Sequence, residues 1–269
     1  MIKVVSFDIG GTIIKNNLEN DNKNYDLKHL SLLVNLDYNS VRVAYKNVFQ
    51  KSVGTFDELV SQFCRQLKIN KTDKLVNFFT AKFDKKNVNS YISNDVLSLI
   101  KKIKKLGYKV ICVSNSCCLI ESDLGNELLK MLDGVYYSFD LGYTKSDEKL
   151  YEIIEKKLNV KKGEVLHIGD TLISDYFKPK ENGWEALYYN EKAENIQYDN
   201  VVSINSLNEI FKYLNIDLFK RSKSCYKING KNLTIRELLI YFGDIVRKDN
   251  PYFFIDSLLG RVEVYKDIF

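Results

Sequence analysis

The sequence contains no long apolar run. No stretch of about 18 uncharged apolar residues occurs in its 269 residues, although a membrane-spanning helix needs roughly that length. The opening segment MIKVVSFD already carries a lysine and an aspartate, so it does not read as a secretory signal. We therefore expect a cytoplasmic protein that does not associate with a membrane.

Paired cysteines and a dominant basic block are also missing. The five cysteines are an odd number without a Cys-x-x-Cys pair, which favours reduced thiols over a disulfide framework. The 40 Lys and Arg against 35 Asp and Glu give a net charge of +5, and no basic cluster dominates. The charge therefore does not predict nucleic-acid binding, and it only weakly favours an anionic substrate.

The composition excludes disordered, collagen-like and coiled-coil chains, because 45% of the residues are hydrophobic and 28% are charged. The length allows one large domain, or a core domain with a smaller second one.

Short apolar runs alternate with segments of helical periodicity over much of the chain, beginning with the run at residues 2–7. Further strands are predicted at 108–113, 135–138, 165–168, 186–189 and, more weakly, 201–204. Helices are predicted at 95–106, 119–132, 146–158, 174–182 and 206–214. This alternation predicts βαβ units and an α/β fold, a Rossmann-like parallel sheet between two helical layers. We assign residues 1–15 and 95–214 to this core.

Residues 16–94 interrupt the alternation with helical patterns and almost no strand signal. Helices are predicted near 38–49, after the capping box that starts at Thr55, and near 72–83. Because the segment follows the first strand, we expect a helical cap above the carboxyl ends of the strands, placed to act as a lid.

Residues 215–269 form a C-terminal extension without recognisable chemistry. Asn229-Gly230 predicts a hairpin turn, and Thr234 opens a second capping box before a helix to about residue 246. We expect this extension to be available to a protein partner.

Polar residues follow three of the predicted strands: Asp8-Ile-Gly-Gly-Thr12, Ser114-Asn115 and Gly169-Asp170. Ligands and reactive groups collect at the carboxyl ends of parallel strands, so these segments should meet. Lys145 precedes the helix that leads into the fourth strand. Two carboxylates, a hydroxyl, an amide and an ammonium together suit phosphoryl transfer.

Asp8 and Asp170 offer the carboxylate oxygens that Mg²⁺ prefers, with a substrate phosphate completing its coordination. An aspartate can also attack phosphorus to form an aspartyl-phosphate, if the metal and hydrogen-bond donors offset the repulsion between the anions. Ser114, the backbone of Asn115 and Lys145 are candidate donors. Gly10 and Gly11 allow backbone N–H groups to approach a phosphate closely.

In order and spacing, these segments resemble the haloacid dehalogenase-like hydrolase superfamily, whose members are mostly Mg²⁺-dependent phosphohydrolases. Asp8, Gly10 and Thr12 match its first motif, and Ser114 matches the second. Lys145 is the best candidate for the third, with Lys149 second. Gly169-Asp170 followed by Asp175 matches the fourth motif.

The resemblance implies catalytic roles for Asp8, Ser114 and Lys145, and metal ligands from Asp8, the Gly10 carbonyl, Asp170 and Asp175. It also implies a helical cap at residues 16–94. Gly10, Gly11, Thr12, Ser114, Asn115 and Lys145 would contact the substrate, which we expect to be a small phosphorylated metabolite.

One position departs from the family pattern. The family's phosphatases carry at the position of Gly10 an aspartate that protonates the leaving group and then activates water. General acid–base help contributes about 10²- to 10⁴-fold, so alkyl phosphates should be poor substrates. In the family, the residue at this position binds the metal through its backbone carbonyl, and Gly10 retains that carbonyl.

Three alternatives follow from that departure or from the first motif. The first alternative is a catalytically impaired relative that binds a ligand or protein, and the second is a hydrolase of the phosphonatase or dehalogenase type. The string Asp8-Ile-Gly-Gly-Thr12 also occurs in actin-like sugar kinases, but we find no second glycine-rich phosphate segment. His167, at the end of a buried strand, is expected to be a core histidine.

Overall fold

The computed structural model describes residues 1–16, 26–83, 90–120, 125–195, 198, 200–214, 226–228 and 231–233. The chain divides into two compact units, Met1–Asn215 and Ile216–Phe269. In the second unit, Tyr226–Ile228 (β9) and Lys231–Leu233 (β10) pair as antiparallel strands. The predicted turn at Asn229-Gly230 and the predicted helix after Thr234 lie outside the described residues.

The first unit is built on a six-stranded sheet, whose strands are Val4–Phe7 (β1), Lys109–Ser114 (β4), Gly134–Tyr137 (β5), Val165–Gly169 (β6), Glu185–Tyr189 (β7) and Ser203–Ile204 (β8). The strands lie in the order β5-β4-β1-β6-β7-β8, with every neighbouring pair parallel. β1 and β6 are buried along their whole length, as expected where helices cover both faces of a sheet. The predicted α/β, Rossmann-like fold is confirmed.

Helices connect the strands of this sheet. They are Asn94–Lys105 (α5), Gly125–Met131 (α6), Ser138–Leu141 (α7), Glu148–Leu158 (α8) and Lys178–Glu181 (α9). Residues 118–120 form a turn and a bend where the sequence predicts the start of a helix at 119. α7 is a helix that the sequence pattern did not predict. Leu172–Phe177 is a π-helical segment that leads directly into α9, and Leu207–Lys212 is a 3₁₀ helix after β8.

Two short strands that the sequence analysis missed, Ile14–Asn16 (β2) and Ser90–Ile92 (β3), pair antiparallel. Residues 26–83, the described part of the chain between them, form four helices. These helices are Leu27–Val34 (α1), Tyr38–Phe49 (α2), Phe56–Leu67 (α3) and Asp73–Phe83 (α4). We call α1 to α4 the helical insertion. The capping box at Thr55 is present, because Glu58 and Thr55 hydrogen-bond each other's backbone N–H. α1, capped by Asp26, was not predicted.

The helical insertion has its own apolar core. Phe49 packs against Phe63, Phe79 and Phe83, with ring centroids 4.7 to 5.8 Å apart. Residues 117–120, from the loop after β4, pack against the same cluster. Lys51 also forms an ion pair with Asp147 next to α8, at 2.9 Å. The insertion therefore contacts the sheet domain through both apolar and charged groups.

Among the residues that the structure describes, no helix combines the length and the apolar character needed to cross a membrane. Cys64, Cys112, Cys117 and Cys118 are free thiols.

Candidate active site

Asp8 stands directly after β1 and opens a tight loop. Its backbone N–H donates to the Ile168 carbonyl at 2.8 Å, and its side chain is largely buried. The loop turns at Gly11, whose φ of +78° is in the left-handed region that favours glycine. A Cβ at Gly11 would overlap with the Asp170 carboxylate, whereas a Cβ at Gly10 would have no atom within 4 Å.

The end of β6 supplies two more carboxylates. Asp170 is exposed, whereas Asp175, in the π-helical segment, is buried. A Cβ at Gly169 would approach the Asp175 Cγ to 2.5 Å, so glycine at 169 makes room for that carboxylate. Asp8, Asp170 and Asp175 each present an oxygen within 4.8 Å of the others. The structure therefore brings together the acidic residues of the first and fourth motifs.

Lys145 lies between two of these carboxylates. Its Nζ forms ion pairs with Asp8 and Asp175, the second at 2.6 Å, and its side chain is only 3% exposed. Two further contacts fix the backbone of Lys145: its N–H donates to Asn115 Oδ1 at 2.9 Å, and its carbonyl accepts from the Tyr151 hydroxyl at 2.7 Å. The segment after β4 and helix α8 thus hold the lysine toward Asp8.

Lys149, the second sequence candidate for the third motif, is placed elsewhere. Its side chain is 56% exposed and pairs with Glu152 on the same helix face. The structure therefore places Lys145 and not Lys149 beside Asp8.

Two buried carboxylates share one ammonium at this site, and their pKa values move apart. Burial raises the pKa of Asp8 to about 7, although Lys145 opposes the shift. Burial also acts to raise the pKa of Asp175, but Lys145 and His167 outweigh it and hold that pKa below its usual range. The exposed Asp170 adds a third carboxylate, so three carboxylates lie around the Lys145 ammonium.

His167 is a core histidine, as predicted, but it also contacts the site. One ring nitrogen lies 2.8 Å from Ser6 Oγ and the other lies 3.3 Å from Asp175 Oδ1. Burial lowers the pKa of His167, which favours its neutral form. This contact was not predictable from sequence patterns, because Ser6 and His167 become neighbours only when β1 pairs with β6.

The remaining predicted residues occupy the same end of the sheet. Ser114 is the last residue of β4 and is buried. Thr12 is fully buried, and its hydroxyl has no hydrogen-bond partner among the described residues. Asn115 follows Ser114 and, as described above, holds the Lys145 backbone through its side chain.

Lys15, in β2, is a site neighbour that the sequence analysis missed. Its Nζ donates to the Gly11 carbonyl at 2.6 Å and to Glu191 at 2.7 Å, and it lies 4.3 Å from the centroid of the Tyr189 ring. These contacts tie the loop after β1 to the end of β7.

The arrangement fits a divalent cation on chemical grounds. The donor set is made of carboxylate oxygens, which hard cations such as Mg²⁺ prefer. A cation held by Asp8 and Asp170 would neutralise the negative charge that Lys145 alone does not balance.

Comparisons with known proteins agree with this geometry. A family model described as haloacid dehalogenase-like hydrolase matches residues 2–176. That range includes all four motif segments. None of the curated protein sequences matches the chain significantly.

Solved structures of low sequence identity share the fold. A 2-haloacid dehalogenase from Pseudomonas syringae pv. Tomato DC3000 is 16% identical with a TM-score of 0.54, and the match covers 80% of this chain and 98% of that one. A HAD family enzyme from Bacteroides thetaiotaomicron is 15% identical with a TM-score of 0.51, over 72% and 96% of the two chains.

A predicted phosphoglycolate phosphatase from Haemophilus somnus 129PT is 16% identical with a TM-score of 0.50, over 79% and 97%. At these identities the likeness concerns the fold. Because the family model covers more than half of the sequence, the chain belongs to the haloacid dehalogenase-like hydrolases.

Proposed function

We propose that this chain is a Mg²⁺-dependent hydrolase of a small phosphorylated metabolite that forms an aspartyl-phosphate on Asp8. One observation carries the proposal: the Asp8 carboxylate, at the end of a central strand, contacts Lys145 and has Asp170 within 4.8 Å. A nucleophile, a fixed cation and a metal-ligand oxygen therefore share one small space.

The residues around Asp8 divide into two roles. The Lys145 ammonium, the Ser114 hydroxyl, and the backbone N–H groups of Gly10, Thr12 and Asn115 would bind the phosphate oxygens. The Gly11 N–H is engaged, because it donates to the Ile14 carbonyl at 2.8 Å. Asp175 would hold Lys145 in place, because one of its oxygens accepts from Lys145 and the other accepts from the Thr171 N–H at 2.9 Å. We therefore propose Asp175 as a positioning residue, although the family resemblance implied a metal ligand.

Asp8, Asp170 and the Gly10 carbonyl would hold Mg²⁺. When bound, the metal supplies positive charge that reduces the repulsion between the Asp8 carboxylate and an anionic phosphate. The Lys145 ammonium, which forms an ion pair with Asp8, also reduces this repulsion, because it lies in a buried region where electrostatic interactions are strong.

The reaction proceeds in two displacements. In the first, an Asp8 oxygen forms a bond to phosphorus while the bond from phosphorus to the leaving oxygen breaks. In the second, water attacks the same phosphorus, which releases inorganic phosphate and restores the Asp8 carboxylate. Lys145 stabilises the phosphate oxygens in both steps. The helical insertion, which contacts the sheet domain at Asp147 and at residues 117–120, would act as a cap that limits water access.

Substitution of the nucleophile tests the proposal. Asp8→Asn is expected to abolish hydrolysis of every phosphorylated compound that the native chain turns over in Mg²⁺. Mg²⁺ with beryllofluoride, a phosphate mimic, should raise the Tm of the native chain but not that of Asp8→Asn. Asp73→Asn, the same change at an exposed carboxylate of α4, is the matched control and should retain both properties.

A broad panel of phosphorylated compounds without any Mg²⁺-dependent turnover would contradict the proposal. So would equal beryllofluoride stabilisation of the native chain and Asp8→Asn, because binding would then not involve the Asp8 carboxylate.

A catalytically impaired relative that binds a ligand is the second candidate, and position 10 favours it because Gly10 offers no side chain to the reaction. Residues 215–269 would then be the segment that contacts a protein partner. This candidate predicts that the native chain is inert with all phosphates, acyl phosphates included, while Gly10→Asp is active. Turnover by the native chain would remove it.

A further inference from the structure

Resting on the proposed function, we propose that this site takes phosphorylated compounds whose leaving group departs as a stable anion without protonation, above all acyl phosphates. We further infer that phosphorylated Asp8 is hydrolysed more slowly than it forms, so that the phosphorylated protein accumulates. Both statements come from which groups the structure places around Asp8.

The loop that carries the nucleophile has no proton-bearing side chain on its exposed side. Ile9 and Thr12 direct their side chains into the protein and are 2% and 0% exposed. The two residues between them, Gly10 and Gly11, are glycines. Of residues 9 to 12, a leaving group above this loop therefore meets backbone only. The Lys15 ammonium, which also contacts the loop, already donates to the Gly11 carbonyl and to Glu191.

The other polar groups beside Asp8 are poor proton donors for a leaving oxygen. The Lys145 ammonium already donates to Asp8 and Asp175. An ionised Asp170 accepts hydrogen bonds only, and the Ser114 hydroxyl is a very weak acid. His167 is fully buried between Ser6 and Asp175, so it does not reach a group bound above Asp8.

The chemistry of the leaving group then decides which substrates react. With an acyl phosphate, an Asp8 oxygen bonds to phosphorus, the bond from phosphorus to the acyl oxygen breaks, and the electron pair leaves on a carboxylate. Carboxylates are stable anions at neutral pH, with pKa values of about 4, so this step needs no proton. An alkyl phosphate would release an alkoxide, and the missing acid lowers its rate about 10²- to 10⁴-fold.

The second step lacks assistance too. Water attacks the phosphorus of phosphorylated Asp8, the bond to the Asp8 oxygen breaks, and the proton of the water passes to solvent. Because no base is positioned on the loop, hydrolysis is slow relative to phosphorylation by an acyl phosphate, and the phosphorylated protein accumulates.

The two glycines differ in a way that makes the inference testable. Gly11 is required by its positive φ and by the overlap that a Cβ would make with Asp170. Gly10 is constrained by neither, since a Cβ there meets nothing within 4 Å and its φ is not in the left-handed region. The fold therefore has room for a Cβ at position 10, where Gly10→Asp adds an ionisable group.

The experiment compares acetyl phosphate with glycerol phosphate on the full chain in Mg²⁺, by rapid quench and intact-protein mass spectrometry. The native chain should react at least about 10²-fold faster with acetyl phosphate and show a burst of phosphorylated protein that Asp8→Asn lacks. Gly10→Asp should raise glycerol phosphate turnover about 10²- to 10⁴-fold and remove the accumulated phosphoprotein. Gly10→Asn, of equal size but not ionisable, should give no such gain.

Each result decides the question. Equal rates with the two phosphates in the native chain would overturn the inference while leaving the proposed function intact. A rate increase in Gly10→Asn equal to that in Gly10→Asp would also overturn it, because the effect would then not be proton transfer. Turnover of acetyl phosphate without accumulated phosphoprotein would overturn the inference on phosphorylated Asp8 and leave the proposed function intact. Absence of both Mg²⁺-dependent turnover and phosphorylation of Asp8, with either compound, would count against the proposed function itself. If Gly10→Asp fails to fold, the rate ratio in the native chain still decides.

Discussion

The interior of the helical insertion and the interior beneath the active site are both inaccessible to water, but they are filled differently. Aromatic rings fill the insertion, where Phe49, Phe63 and Phe79 contact each other with centroids 4.7 to 5.8 Å apart. Under the site, the buried residues include Lys145, Asp175 and His167. One interior is hydrocarbon and the other contains charge.

This difference separates stability from function in the molecule. Burial of aromatic side chains is favourable in itself, so the insertion core stabilises its own helices. Burial of charge is unfavourable unless each charge is paired and hydrogen-bonded. The site has one ammonium for two buried carboxylates, and such arrangements persist where chemistry requires them. The two interiors should therefore respond differently to substitution and to pH.

Removal of the buried ammonium should have the largest effect. Lys145→Met leaves Asp8 and Asp175 without a counter-charge, and breaking a buried ion pair destabilises by about 3–5 kcal/mol. Activity should be lost completely. Phe79→Ala in the insertion should have a stability effect of similar size, about 3–5 kcal/mol, from the lost burial and the cavity.

Urea unfolding at pH 5 and pH 8 separates these two variants. The unpaired carboxylates of Lys145→Met will have raised pKa values, so they favour the folded state when protonated and the loss should shrink as the pH falls. The loss in Phe79→Ala should be the same at both pH values. A Lys145→Met deficit that does not change with pH would contradict the charge argument.

The second prediction concerns the two carboxylates that share Lys145. In EDTA, Asp8→Asn should be more stable than the native chain at pH 8, by about 0.5–2 kcal/mol, because it removes the surplus buried charge. The pKa of Asp8 is about 7 in the folded chain, above its ordinary 3.8. Native stability due to protonated Asp8 is therefore lost as the pH rises through about 7, and the advantage of the variant should grow from pH 5 to pH 8.

Asp175→Asn is the contrasting variant. The pKa of Asp175 is held low by Lys145 and His167 despite burial, so its charge stabilises the folded state above its ordinary pKa, and the variant should be less stable at both pH values. Thermal unfolding of the two variants and the native chain gives the comparison. If Asp8→Asn were less stable than the native chain at pH 8, the charge of Asp8 would not destabilise the folded state, and the prediction would be wrong.

The sheet and the positions of Asp8, Ser114 and Asp170 were predictable because buried parallel strands produce continuous apolar runs, and because polar residues follow those runs directly. The strands β2 and β3 were not predictable. Each has three residues, and each exists only because the other pairs with it across the whole insertion.

The choice between Lys145 and Lys149 also needed the structure. Both lysines stand near the start of α8 in sequence, and only the contacts of Asn115 and Tyr151 with the Lys145 backbone fix which one reaches Asp8. The π-helical segment Leu172–Phe177 was likewise not predictable from the sequence. It carries Asp175 back to the Thr171 N–H, to His167 and to Lys145, partners that helical periodicity does not reveal.

The smallest expected effect is at the contact where the two regions meet. Lys51 and Asp147 form an ion pair at 2.9 Å, with side chains 22% and 26% exposed. Such partly solvated pairs contribute about 0–1 kcal/mol, so Lys51→Met should change the free energy of unfolding by no more than that. Asp147 also accepts from the Thr144 N–H and hydroxyl, and these bonds remain in the variant. Urea unfolding of Lys51→Met and of Lys71→Met, which removes a more exposed ion pair within the insertion, provides the measurement. A loss in Lys51→Met well above 1 kcal/mol, with little in Lys71→Met, would show that the insertion and the sheet domain stabilise each other through charge as well as through apolar contacts.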